Sequence, residues 1–166
     1  MGAEKKKQRN ALGLIVALVV VLMGSVLFVG AVSGWFSDGV DVVLDEEYYC
    51  NDNCDGEYME LSGSEYERLM EEKKSFVVFV DQKNCTTAIT LGGYVSDYAK
   101  EAGIKVYRMM FSEARETSMH DYVKYYPSVV IVSKGRVAGY LRADSDEDAD
   151  MYNDQDAFVK WMERYL

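Results

Sequence analysis

Three cysteines, Cys50, Cys54 and Cys85, are the side chains of this 166-residue sequence best suited to making and breaking a covalent bond. Cys85 opens the segment Cys85-Thr86-Thr87-Ala88, and Ala88, Leu91, Val95 and Tyr98 follow at helical spacing. A thiol at a helix start meets the positive end of the macrodipole and unsatisfied backbone N–H groups. Both favour the thiolate, which is the nucleophilic form. The Thr86 and Thr87 hydroxyls can donate to that sulfur. Downstream stands the only proline, Pro127, after Tyr126 and before the β-branched run Ser128-Val129-Val130-Ile131-Val132. Proline makes a cis peptide bond cheap, usually in a tight turn. A cis Pro127 beside Cys85 would present a backbone edge to an incoming peptide.

The plainer reading of Cys85 is a partly buried, inert thiol, a common fate for free cysteine. Cys50 and Cys54, four residues apart in Cys50-Asn51-Asp52-Asn53-Cys54, can pair locally, which is the simpler arrangement. One of them can instead resolve a disulfide formed at Cys85. No metal is expected. Asn51, Asn53, Asp55 and Gly56 only faintly echo a calcium loop, with Ser62 in place of the terminal glutamate. Asp144, Asp146, Asp148 and Asp150 alternate without the glycine such a loop needs. His120 is the single histidine, too few for a zinc set, and no phosphate-binding or serine-hydrolase signature is present. No cofactor is implied.

The N-terminal part has a different character. Lys5, Lys6, Lys7 and Arg9 precede 26 uncharged residues, 11–36. A membrane-spanning helix needs about 20. Basic residues before the run, and Asp38, Asp41 and Asp45 after it, put residues 1–10 in the cytoplasm and the rest outside it. Trp35 and Phe36 fall where an aromatic belt would meet the outer interface. A cleaved signal peptide is the competing reading, but its apolar core is shorter, about 7–15 residues. The expectation is a single-pass membrane protein with an extracytoplasmic domain, a setting that permits disulfides. Beyond residue 10 the chain carries 14 Lys+Arg against 27 Asp+Glu, which argues against nucleic acid and anionic lipid headgroups as partners.

Residues 37–57 read as an acidic linker or a partly ordered lead-in. From residue 58 the pattern is globular: a short strand at 58–61, then a helix introduced by Ser62 and Glu65 as a capping box. Phe76-Val77-Val78-Phe79-Val80 is a continuous apolar run, the mark of a strand buried on both faces. The Cys85 helix follows, with Gly92-Gly93 in its middle marking a kink or a close contact. Next come a strand at 104–109, a helix over 112–125 with Met119, Tyr122 and Val123 inward, and a hairpin of 129–132 with 137–141 about Lys134-Gly135. Residues 144–150 read as an acidic loop, and 154–166 as an amphipathic helix burying Phe158, Trp161, Met162 and Leu166. The order βαβαβαββα predicts an α/β sheet with helices on both faces over 58–166.

That order, with Cys85 opening the second helix and Tyr126-Pro127 preceding the hairpin, resembles the thioredoxin-like superfamily. The resemblance implies a thioredoxin-like βαβαβαββα sandwich and thiol–disulfide exchange with protein thiols or peptide segments. It makes Cys85 the catalytic residue and Thr86, Thr87, Tyr126 and Pro127 the groove for substrate or partner. Three departures bear on function. Ala88 replaces the second cysteine of the family's CxxC, no tryptophan immediately precedes Cys85, and no acidic residue lies within 76–80, where family members keep a carboxylate for proton transfer. A dithiol cycle within the motif is thereby removed, since it needs a second sulfur. The chain also resembles accessory thioredoxin-fold proteins beside bacterial export systems, bacteriocin accessory proteins among them. That likeness implies an alternative role, a non-catalytic adaptor holding a peptide in the same groove. A fainter likeness of Cys85-Thr86-Thr87 to peroxiredoxins lacks their upstream threonine and proline.

Overall fold

The computed structural model describes residues 41–51 and 54–166. Strand β1 (Tyr58–Glu60), helix α1 (Gly63–Glu71), strand β2 (Phe76–Asp81), helix α2 (Thr86–Ala102), strand β3 (Val106–Met110) and a short helix α3 (Phe111–Ala114) come first. Strands β4 (Ser128–Ser133) and β5 (Arg136–Tyr140) and helices α4 (Ala149–Asn153) and α5 (Gln155–Met162) complete the chain. The sheet order is β1-β3-β2-β4-β5. β1, β3 and β2 run parallel, while β4 is antiparallel to both β2 and β5.

Period-two alternation in β2 divides the core. Phe76 meets Tyr66 of α1 edge-on, with ring centroids 6.2 Å apart, and Tyr107 of β3 at 5.8 Å. Phe79 faces the other way, stacking on Tyr58 at 5.6 Å and meeting α2 at Gly92. Helix α1 thus covers one face and α2 the other, and α5 packs Phe158 against Tyr94 and Tyr98 of α2. Residues 76–80 and 128–132 are all buried, as their unbroken apolar or small character requires. Ser62 caps α1 by accepting from the Glu65 amide at 3.2 Å.

Three segments differ from the sequence reading, and Leu166, expected inside, is exposed beyond the end of α5. The acidic segment read as a linker is built into the domain from residue 41. Val42, Leu44 and Tyr48 are buried, with Tyr48 only 2% exposed, and the Tyr49–Ile104 bridge pairs it with the chain beyond α2. Its acids are used as well. The Asp45 carboxylate accepts from the Ser75 amide at 2.6 Å, and Lys74 pairs with Glu47 at 3.1 Å. The helix expected over 112–125 is only α3 followed by a 3₁₀ turn, Ser118–Asp121. Thr117 interrupts it, its hydroxyl donating to the Ala114 carbonyl at 2.8 Å and accepting from the Met119 amide at 3.3 Å. Met119 and Val123 are buried as expected, but Tyr122 turns outward, 53% exposed. The acidic loop 144–150 contains a 3₁₀ turn, Asp146–Asp148, and runs into α4. Among the described residues no helix is long and apolar enough to cross a membrane; the run 11–36 and the basic tail lie outside them.

Helix α2 is continuous, and its paired glycines are not equivalent. A methyl at Gly92 would stand 3.2 Å from the Phe79 ring, while one at Gly93 would meet nothing within 4 Å. Gly93→Ala should therefore raise the unfolding free energy by about 1 kcal/mol in urea, the usual helix-interior gain, whereas Gly92→Ala should lose that gain to the contact. Gly139→Ala, whose methyl would run into the Tyr165 ring, should instead lower stability by about 1–3 kcal/mol.

Burial, first among the causes, raises the phenols of Tyr48, Tyr58, Tyr66 and Tyr152 well above the ordinary 10.0. The folded chain holds these protons more tightly than the unfolded one. Their contribution to stability is whole below the unfolded value of 10.0 and declines as pH rises beyond it. In a base titration, the last phenolate absorbance should appear together with loss of circular dichroism, not ahead of it.

Candidate functional site

Strand β2 delivers the chain to the site. After Asp81 the loop 82–84 ends at Asn84 in the left-handed region (φ 59°), which asparagine tolerates, and this turns the backbone into α2. Cys85 is the helix N-cap, with extended backbone (φ −108°, ψ 118°) and a carbonyl that accepts from the Ile89 amide at 3.1 Å. Its thiol is free and half-buried. Ala88, at the place of the second sulfur in a CxxC, is buried.

The Tyr126–Pro127 bond is cis. Cys85, Thr87, Tyr126 and Pro127 line one open groove of about 400 Å³. Of the groove residues expected from sequence, Thr86 alone does not line it; it is exposed on the first turn, where its carbonyl accepts from the Thr90 hydroxyl at 3.2 Å. The loop that carries Pro127 is fastened on both sides. The Tyr126 hydroxyl donates to the Val123 carbonyl at 2.8 Å, and its ring packs on Phe111 with centroids 4.6 Å apart. The buried Tyr152 hydroxyl donates to the Pro127 carbonyl at 3.0 Å, and the Ser128 hydroxyl to the Leu141 carbonyl at 2.7 Å. Burial raises the Tyr152 phenol, so it remains the proton donor at neutral pH.

The facing wall, Ala143 to Asp146 with Ala149 and Asn153, was not legible as part of a site. Alternating acids there read as a solvated loop. Arg142 shapes it, with Nε 3.1 Å from Asp148 Oδ2 and a terminal nitrogen 2.6 Å from Glu147 Oε2. The Asp148 carboxylate, 8% exposed, also accepts from the Arg142 amide at 2.8 Å. These bonds hold the Arg142 proton above the ordinary arginine range. The readable signal was an arginine placed five and six residues before two acids, directly after a hairpin.

Cys50 and Cys54 are bonded to each other and do not approach the groove. The Cys50 amide donates to the Gly103 carbonyl at 2.9 Å, and Cys54 Sγ lies 3.4 Å from the Ile104 carbonyl. Both contacts are at the C-terminal end of α2. Seventeen helical residues separate that end from Cys85, about 25 Å at 1.5 Å per residue. Neither cysteine is placed to resolve a disulfide at Cys85.

The fold is thioredoxin-like. A thioredoxin point mutant from Halobacterium salinarum superposes with a TM-score of 0.51 at 16% identity, covering 69% of this chain and 96% of that one. A thioredoxin from Aeropyrum pernix gives 0.48 at 16% identity, over 67% and 89% of the two chains. The J-Trx1 fragment of ERdj5 also gives 0.48, at 17% identity, over 66% of this chain; the chain spans about half (52%) of that fragment. No family model and no curated protein matches the sequence. At such identities the likeness defines the fold alone.

The Tyr152–Pro127 bond can be tested directly. Tyr152→Phe removes the donor and leaves the carbonyl to find water or go unpaired. The unfolding free energy in urea should fall by about 1 kcal/mol.

Proposed function

We propose that the domain exchanges thiols and disulfides with peptide segments of other proteins through Cys85 alone. One observation carries this reading: the only free thiol among the described residues and Pro127 line the same open groove. The Cys85 thiolate attacks one sulfur of a partner disulfide. A new S–S bond joins Cys85 to that sulfur, and the other partner sulfur leaves as a thiolate with the bonding electron pair. Attack by the displaced partner thiolate, or by a second partner thiol, on the mixed disulfide releases Cys85. Such a cycle reshuffles disulfides without net oxidation or reduction.

The uncharged run 11–36 supports a single membrane anchor, and its basic N-terminal flank supports an extracytoplasmic position for the domain. A Cys50–Cys54 disulfide suits that compartment.

The alternative is an adaptor that seats a peptide beside Pro127 without exchange, for instance alongside protein export. Buried Ala88 favours it, because no second sulfur stands next to Cys85. The two readings separate in cells. Membranes quenched with acid and alkylated should yield mixed disulfides on the wild-type chain, and Cys85→Ser should abolish them. Persistence of the same adducts in Cys85→Ser would refute exchange at this thiol. Non-covalent co-purification of a partner, equal in both chains and without adducts, would leave the adaptor.

A further inference from the structure

The Cys85 groove is asymmetric in charge. Its lining contains two carboxylates, Asp144 and Asp146, and no lysine or arginine. Both are exposed, and neither makes an ion pair with another described residue. The cation nearest in sequence to these acids, Arg142, is paired with Glu147 and Asp148, and Lys83, two residues before Cys85, does not line the groove. The same bonds fix the wall. Arg142 joins the end of β5 to the Asp146–Asp148 turn, and α4 is pinned through Tyr152 to the Pro127 carbonyl. Asp144 and Asp146 are therefore held across the groove from Cys85 on a braced segment.

We infer that the groove selects a cationic segment, a cysteine-bearing peptide with lysine or arginine next to the sulfur. This rests on the reading of the groove as the peptide site and adds the class of peptide. A peptide drawn in along Pro127 passes between Cys85 and the 143–146 wall, so residues beside its cysteine lie against Asp144 and Asp146. Fixed like charges at the mouth of a cleft raise the local concentration of the opposite charge and disfavour anionic segments. The thiol supplies the bond, and the wall supplies the discrimination.

Two measurements on the detergent-solubilised full chain test this. In the first, fluorescent peptides with serine in place of cysteine, one flanked by lysines and one by glutamates, are titrated by anisotropy, so that no thiol chemistry is involved. The cationic peptide should bind at least about tenfold more tightly at roughly 0.01 M salt, with the difference disappearing near 1 M, where the Debye length is only about 3 Å. In Asp144→Asn/Asp146→Asn the preference should fall close to unity. A control that removes two charges at the opposite end of the sheet, Glu71→Gln/Glu101→Gln, should keep it. Equal binding of the two peptides, or an equal loss in both double variants, overturns the inference, the latter by assigning the effect to net charge alone. In the second measurement the same peptides carry a cysteine activated as a mixed disulfide with thionitrobenzoate, and attack by Cys85 releases the coloured thiolate. Release that depends on Cys85 but shows no charge preference overturns the inference and leaves exchange standing. Charge-selective binding with no release supports the inference and removes exchange in favour of the adaptor.

Discussion

Burial of strand β2 on both faces is the constraint from which the rest of this domain follows. A strand reading Phe-Val-Val-Phe-Val has no face to offer water, so it must lie between two layers. Phe76 commits one face to α1 and Phe79 the other to α2. Neighbour β4 is as apolar and as buried, while β3 is buried except at Arg108 and Met110, and the sheet's edges are β1 and β5. The end of such a strand is where the chain first reaches the surface, and Cys85 stands there at the start of the helix that must turn back over the sheet. Antiparallel pairing of β4 with β2, Ser128 opposite Val80, carries Pro127 to that same end. The meeting of thiol and proline is a consequence of sheet register, not of any direct bond between them.

How much of this was legible follows from what generated each element. β2, β4 and the Lys134-Gly135 turn are set by local composition, and α1 by the Ser62 cap; all were readable. Residues 41–51 were not. Val42, Leu44 and Tyr48 reach the core, but exposed Val43 stands between the first two and Asp45, Glu46 and Glu47 between the last two, so no single period runs through the segment. Its order comes from long-range partners such as Ser75 and Gly103, which a local pattern cannot announce. The same holds for 115–125, where a threonine side chain competes with the helix, and for 142–153, where one arginine gathers two acids.

The site divides along the same line. Cys85, Thr87, Tyr126 and Pro127 were visible because each is chemically unusual in its surroundings. Tyr152 and the 143–146 wall were invisible because their residue types are ordinary, and only the tertiary path gives them a place. In the proposed exchange, discrimination among partners resides in this second group, so a scan of the sequence for unusual residues finds the thiol and misses the wall across from it.

The disulfide at the far end of α2 gives the molecule an electrochemical identity separate from its free thiol. Cys50 and Cys54 form a complete two-electron couple, and Cys85 alone cannot. Equilibration with a thiol buffer therefore yields a midpoint for the domain, but that number belongs to the clip joining residues 50–54 to the end of the helix. Counting thiols before and after reduction likewise gives one and three. A chain with this arithmetic would pass for an ordinary dithiol oxidoreductase in bulk, although its paired sulfurs and its free one lie a helix length apart.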